Sequence, residues 1–215
     1  IKGIGSDESN LFSIEFELIP DKNVLNENKL HKFKKELKIN GAKVSLNSFI
    51  GAFNAVMFEA NDLMLIIGAP QVRRKFLNIF ISQTDIQYLK ALQRYNQVIK
   101  NRNRILKNIS SNNSNYHELK FWTDKLIDDG SLIMFFRHKI VQKLFDYTVD
   151  LYDQLSIENE SLEIIYKPNL KSSNEFDFKN KLLQKNDYRK LIFESIERLK
   201  HDEVKLGTSL IGPHR

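Results

Sequence analysis

The residues most able to do chemistry in this sequence are basic, and they are concentrated between Gln71 and Asn108. That stretch has nine lysines and arginines and a single acid, Asp85, so it carries +8 while the whole chain carries +6. The nine are Arg73, Arg74, Lys75, Lys90, Arg94, Lys100, Arg102, Arg104 and Lys107. Cations clustered in this way indicate a surface that faces polyanions such as DNA, and the alternative is a helix face that is simply solvated.

Two groups within this stretch are predicted to contact DNA. The first occupies the early turns of a predicted helix, where the helix dipole favours acids rather than cations; its members are Arg73, Arg74 and Lys75. For this triplet we predict contact with phosphate groups or a docking role. The alternative is that its side chains are simply solvated. The second group lies opposite an apolar stripe, and it consists of Lys90, Arg94 and Arg104. Its contacts would be nonspecific and salt-sensitive, and a solvated face is the alternative.

Arg102 differs from its basic neighbours because helical spacing places it at the edge of the apolar stripe. A half-buried guanidinium requires an acidic or carbonyl partner. We therefore predict a structural ion pair for Arg102 rather than a contact with DNA.

The sequence supplies no recognised catalytic motif, although sequence alone does not exclude a Ser–His–Asp arrangement. No string of the form G-x-x-x-x-G-K-[ST] occurs, so the backbone cradle and lysine that bind nucleotide phosphates are lacking. Residues 126–130, LIDDG, superficially resemble the end of a Walker B strand but follow helical spacing. The five histidines show no metal-ligand spacing. We predict that this chain alone is not an enzyme and holds no metal or cofactor.

The elements that must position these residues change in type along the chain. Residues 11–18 alternate apolar and polar, as in a half-buried strand. Residues 36–39 predict a second strand, Asn40-Gly41 favours a tight hairpin turn, and residues 42–46 begin a third strand. Residues 54–58 predict one more. The product is a small antiparallel sheet.

From Gln71 onward the apolar period becomes helical. One helix carries the basic face, a second contains Trp122 and is predicted to end at Gly130, and a third runs over 131–154. Three amphipathic helices with short connections predict an antiparallel bundle. Further along, the sequence predicts a short strand at 162–166, a helix over 178–200 and a strand at 208–211.

Composition places the chain among soluble globular proteins. It has 215 residues, 41% hydrophobic and 28% charged, and its lack of cysteine fits a reducing cytoplasm. The apolar runs are far shorter than the roughly 20 residues that a membrane span requires, so no membrane association is predicted. The chain starts at Ile1 without a methionine, which we interpret as a piece of a longer protein.

Three motifs resemble those of the RecF family, and their order and spacing agree across nearly the whole chain. Residues 68–77, GAPQVRRKFL, are similar to the family's G-x-P-x-x-R-R-x-F-L. The second motif is Tyr95-Asn96 followed by Arg102-Asn103 and Leu106-Lys107, with Trp122 beyond. The third, residues 207–215, GTSLIGPHR, is close to G-x-T-L-V-G-P-H-R and ends in Gly212, Pro213, His214 and Arg215. Residues 59–63, EANDL, depart from the usual S-P-E-D-L, and Ser209 replaces a threonine.

The resemblance implies a bacterial protein of DNA repair, replication, recombination and the SOS response. The family is an ABC-type ATPase that uses ATP and Mg, forms ATP-dependent homodimers, and has DNA, RecR and RecO as partners. The resemblance also implies that the family's signature motif and Walker B strand lie outside this chain.

The predicted fold class is therefore α+β, with a small antiparallel sheet, part of an ATPase head, and an inserted helical-bundle arm. We predict a β-rich part over 1–67, the arm over 68–205, and a strand over 206–215 that returns to the head. The predicted function is DNA and partner binding within a RecF-like recombination mediator. The alternative is a protein-docking, dimer-stabilising arm without DNA affinity of its own.

Overall fold

The computed structural model describes residues 2–7, 10–20, 33–111, 116–156, 161–171, 176–179 and 181–215. The chain divides into two compact units. One comprises Ile1–Ala60 with Ser82–Ile86, and the other Asn61–Ile81 with Gln87–Arg215. The domain limits predicted at residues 67 and 205 stay a prediction.

The first unit contains a four-stranded antiparallel sheet whose strands pair in sequence order. The strands are β1 (Lys2–Asp7), β2 (Asn10–Pro20), β3 (Phe33–Ile39) and β4 (Ala42–Lys43). The strands predicted at 11–18 and 36–39 are confirmed. Phe16 lies opposite Leu37 in the β2–β3 register, and Leu37 is buried.

The β3–β4 turn is the predicted Asn-Gly hairpin. Asn40 and Gly41 both have positive φ, 51° and 77°, which these two residue types tolerate best. The strand that follows is shorter than the predicted 42–46, because Ser45 caps a short helix, α1 (Leu46–Phe49). The hydroxyl of Ser45 accepts a hydrogen bond from the Ser48 amide at 3.2 Å.

The strand predicted at 54–58 is wrong. This segment has no regular structure, and the side chains of Val56 and Phe58 are 97% and 88% exposed. Strand propensity reflects packing against a neighbouring strand, and no described strand pairs with this segment.

Helices dominate the remainder of the chain. After a 3₁₀ turn at Ala60–Leu63, they are α2 (Met64–Ile67), α3 (Pro70–Thr84), α4 (Ile86–Ser110), α5 (Tyr116–Leu155) and α6 (Lys185–Leu206). Helices α4 and α5 are antiparallel, because Tyr88 meets Arg137 at one end and Arg102 meets Thr123 nearer the other. The α+β class with a helical bundle is confirmed. Within the described residues, no helix has the length and apolar character needed to cross a membrane.

Helix α5 corrects the prediction of two helices separated at Gly130. It is continuous over 40 residues, and Gly130 is buried in its middle. A Cβ atom at Gly130 would lie 3.3 to 3.5 Å from side-chain atoms of Tyr95, Ile192 and Pro213. The glycine therefore permits close packing rather than ending the helix.

The strands predicted at 162–166 and 208–211 are also wrong, since both segments lack regular structure. Side chains over 161–170 do alternate between exposed and half-buried, and Tyr166 packs on the core. The two-residue period that indicated a strand is thus present, but the segment pairs with none of the described strands. Helix α6 begins at Lys185 rather than at 178. Gln184 and Asp187 form a capping box at this start.

Candidate functional site

The exposed face of α4 is strongly basic. The helix contains six lysines and arginines and no aspartate or glutamate over Ile86–Ser110. Its opposite face buries Tyr88, Tyr95, Leu106 and their neighbours in the core, so the helix is held firmly in place.

Two of the six cations on α4 are neutralised by carboxylates. The guanidinium of Arg94 donates to Asp129 from Nε at 3.0 Å and from Nη2 at 2.6 Å, although its side chain remains 56% exposed. Arg102 is buried and donates to Glu203 at 2.5 Å, which confirms the predicted structural ion pair. The other four have no carboxylate partner among the described residues; they are Lys90, Lys100, Arg104 and Lys107.

Arg102 joins α4 to the segment that follows α6. Besides Glu203, it donates to the hydroxyl of Ser209 at 2.7 Å and to that of Thr123 at 3.0 Å. The second oxygen of Glu203 accepts the Leu210 amide at 2.7 Å. The two charged side chains of this network are each 1% exposed, so their charges balance internally and do not face a ligand.

Asn103 and Gly207 complete the anchoring of this segment. Asn103 Oδ1 accepts both the amide and the hydroxyl of Ser209, each at 2.8 Å. Gly207 ends α6 with φ of 62°, and its amide donates to the carbonyls of Glu203 and Val204. The left-handed conformation turns the chain sharply toward α4.

The last four residues of the chain pack against α4 and α5; they are Gly212, Pro213, His214 and Arg215. The Tyr95 hydroxyl lies 2.7 Å from His214 Nδ1, and His214 Nε2 lies 3.3 Å from the Ser209 carbonyl. Nε2 therefore carries the proton, and Nδ1 accepts from tyrosine. Burial lowers the pKa of His214 from 6.5 to about 4, so the ring is neutral at physiological pH.

Arg137 is the site residue that sequence reasoning missed. It is 3% exposed and donates to Tyr88 at 3.1 Å, to the Pro213 carbonyl at 2.7 Å and to Asn78 at 2.8 Å. The available signal was its place in the sequence. A charged residue stands within the apolar stripe of α5, three residues after Met134, which is also buried.

The Arg73–Lys75 triplet splits between two roles. Arg73 donates to the carbonyls of Leu65, Ile66 and Gly68, and so caps the end of α2. Arg74 and Lys75 instead line a cleft of about 500 Å³. The rest of its lining is Gln71, Asn78, Leu92, Tyr95, Asn96, Arg137, Pro213, His214 and Arg215. The predicted roles in DNA binding of these cations, and of Lys90, Arg94 and Arg104, stay predictions.

The two carboxylates of the Walker B-like string have structural partners. Asp128 pairs with Arg189 and Asp129 pairs with Arg94, both from the middle of α5. His138, also on α5, is buried between the Tyr188 hydroxyl at 2.7 Å and the Phe178 carbonyl at 2.9 Å. In the described part of the chain, no cluster of histidines and acids could hold a metal ion.

No protein-family model matches the chain. It is, however, 34% identical over 183 residues to the DNA replication and repair protein RecF of Shouchella clausii (strain KSM-K16), covering 84% of this chain and 47% of the relative. It is also 34% identical over 188 residues to RecF of Bacillus thuringiensis (strain Al Hakam), covering 86% and 48%. The chain thus spans about half the length of these curated relatives.

Solved structures agree with the relatives. A structure of the recombination mediator protein RecF-ATPrS in the RecFOR pathway superposes with a TM-score of 0.83 and 27% identity. It covers all of this chain and 53% of that one. A second, of RecF-ATP in the same pathway, gives a TM-score of 0.75 and 27% identity, covering 97% and 51%.

Proposed function

We propose that this chain, which is homologous to RecF over most of its length, contributes a DNA-binding surface to a RecF-like recombination mediator. The surface is the basic face of α4, defined here by Lys90, Lys100, Arg104 and Lys107. The protein would act in gap repair, replication restart and the SOS response, in the cytoplasm.

The observation that carries this proposal is the unbalanced charge of that face. Helix α4 has no acid along its length, and the two arginines that do have carboxylate partners are Arg94 and Arg102. The four remaining cations face solvent from a helix fixed by its buried side. Each can neutralise one phosphate, and the released counterions favour binding.

The chemistry of the α4 face predicts binding without sequence preference. Lysine and arginine on an exposed helix contact phosphate oxygens, and such contacts position a protein on DNA without reading bases. The affinity would therefore fall steeply as salt concentration rises. Arg94, already held by Asp129, would contribute less than the other α4 cations.

Functions of the whole protein follow as further parts of the proposal. RecF relatives of known structure are described with ATP and ATPrS and within the RecFOR pathway. We propose that the complete protein is an ABC-type ATPase that uses ATP and Mg and forms an ATP-dependent homodimer. RecR and RecO are its proposed partners. The phosphate-binding motifs would lie in the half that this chain does not span, and the chain alone would not hydrolyse ATP.

A second candidate function, protein docking by the helical arm, is favoured by an apolar stripe near the end of α5. Tyr147, Leu151 and Leu155 recur at helical spacing and are 74%, 57% and 80% exposed. A contiguous exposed apolar surface of this kind marks interaction sites.

Fluorescence anisotropy of labelled duplex, gapped and single-stranded DNA across a salt series tests the first proposal. The test variant is Lys90→Glu/Arg104→Glu. The matched control, Lys139→Glu/Lys143→Glu, makes the same charge change on exposed positions of α5. We expect the test variant to lose at least about tenfold in affinity and to lower the duplex salt slope by about 2.

The control variant should bind much as the unmodified chain does. Equal weakening by the two variants would show that only net charge matters and would refute the α4 face as the binding surface. Absence of binding by the unmodified chain would also refute it, and would leave docking as the favoured function.

A further inference from the structure

A second concentration of positive charge lies where α3, α4, α5 and residues 213–215 meet. We call it the arginine cleft and define it by Arg74, Lys75, Arg137 and Arg215, which line the cavity of about 500 Å³ beside His214. Among the residues that the structure describes, no aspartate or glutamate lines this cavity.

The charge of Arg137, at the base of the arginine cleft, is buried and has no carboxylate partner among the described residues. Arg137 is 3% exposed, and its hydrogen-bond partners are uncharged groups: the side chains of Tyr88, Asn78 and Tyr166 and the Pro213 carbonyl. The charged or titratable groups that act on it most strongly are the phenols of Tyr166 and Tyr88, with no carboxylate among them. A buried charge of this kind is costly unless an opposite charge comes close.

The cations nearer the mouth of the cleft are close enough to repel one another. Burial and the positive charges of Arg137 and Arg215 lower the pKa of Arg74. Arg215 is exposed and uses Nε and Nη2 for the Ser209 carbonyl, which leaves Nη1 able to donate elsewhere. Like charges held this close repel, and a bound anion would relieve that repulsion.

Neutral groups around the arginine cleft supply further donors. The side-chain amides of Gln71, Asn78 and Asn96 line the cavity. The neutral His214 ring, held by Tyr95, adds no negative charge. Several cations, amide donors and a lining that includes no described aspartate or glutamate suit an anion with many acceptor oxygens.

We propose that the arginine cleft binds a phosphate or pyrophosphate group. This inference goes beyond the DNA-binding function of the α4 face and rests on different residues. The phosphate could belong to a nucleotide or to the backbone of a nucleic-acid strand, since both present the same tetrahedral anion. Arg74 and Lys75 would contact it at the mouth, while Arg137 would attract it by charge from below.

Isothermal titration calorimetry with pyrophosphate at constant ionic strength tests the arginine cleft. The test variants are Arg74→Gln and Lys75→Gln, because neither residue is fully buried and both variants should fold. The matched control is Arg104→Gln, which removes one positive charge from α4. Circular dichroism of each variant establishes that the helices are intact.

We expect pyrophosphate to bind the unmodified chain and Arg104→Gln equally. Loss of a charge-assisted contact should weaken binding about tenfold or more in Arg74→Gln and several-fold in Lys75→Gln. No binding by the unmodified chain, or unchanged binding by folded Arg74→Gln, would overturn the proposal. So would an equal loss in Arg104→Gln.

Competition separates the two sources of phosphate. Bound pyrophosphate is challenged with a nucleoside triphosphate and with a short single-stranded oligonucleotide, in the Lys90→Glu/Arg104→Glu background that disables the α4 face. Displacement by the oligonucleotide supports a nucleic-acid backbone as the ligand, and displacement by the nucleotide alone supports a small phosphate compound. Because that background lacks the cations of the α4 face, any displacement by the oligonucleotide there reports on the arginine cleft. Failure of DNA binding at the α4 face therefore does not decide whether the cleft binds phosphate.

Discussion

Replacing Glu203 by glutamine should destabilise the helical unit far more than a matched change at a partly exposed ion pair. Glu203 and Arg102 form a pair whose side chains are each 1% exposed, and Ser209 and Thr123 accept hydrogen bonds from the other two guanidinium nitrogens. Glutamine keeps the shape of the side chain but leaves the Arg102 charge buried and unpaired. Such a loss costs about 3–5 kcal/mol.

The matched control is Asp129→Asn, which breaks the other arginine–carboxylate pair of α4. Its partner Arg94 is 56% exposed, so water can solvate the released charge. We expect a cost of about 1 kcal/mol or less. The double variant Arg102→Met/Glu203→Gln should be more stable than Glu203→Gln alone, because methionine removes the unpaired charge while filling similar space.

Urea denaturation followed by tryptophan fluorescence measures these differences. Trp122 is the single tryptophan of the chain and packs against the buried cluster of Ile105, Leu106, Ile109 and Leu119, beside the Arg102 network. If Glu203→Gln costs no more than Asp129→Asn, the buried pair does not hold the segment after α6. A double variant that is less stable than Glu203→Gln would contradict the electrostatic explanation.

Two further predictions concern that same segment. Gly212→Ala should unfold at lower urea than Gly207→Ala, since a Cβ at Gly212 would lie 2.1 Å from the Tyr95 hydroxyl, whereas at Gly207 it meets a flexible Lys107 side-chain atom at 2.9 Å. Equal midpoints would refute the steric argument. Because the folded pKa of His214 is about 4 and its ordinary value 6.5, the unfolded chain binds the extra proton between those pH values. Stability should be complete above about pH 6.5 and fall by about 3 kcal/mol toward pH 4, and His214→Gln, measured against the unmodified chain, should remove that part of the fall.

Local sequence signals predicted elements well in two cases. In one, a residue type restricts the backbone angles; in the other, an apolar period continues over many residues. Asn40-Gly41 specified its hairpin, because both residues tolerate positive φ. The stripe through Tyr88 and Tyr95 specified the orientation of α4, and with it the burial of Arg102. An arginine on an apolar stripe needs a partner, although spacing could not identify Glu203, 101 residues away.

Predictions that depend on which residues are close in space were wrong. Gly130 indicated a helix end, but the structure uses its missing side chain to admit Tyr95, Ile192 and Pro213 against α5. Apolar alternation at 162–166 indicated a strand, yet pairing requires an adjacent strand with free backbone groups. The burial that drives alternation can be supplied by a helical core instead.

The sequence by itself determined the α+β composition, the concentration of basic residues in one helix and the motifs that mark homology to RecF. Each of these is a property of neighbours along the chain, where type and spacing act directly. Only the tertiary structure decided which cations are neutralised. It paired Arg94 with Asp129, buried Arg102 against Glu203, and placed Arg137 and Arg74 in one cleft that no described aspartate or glutamate lines. Charge balance depends on distances between residues that are remote in sequence, and packing alone sets those distances.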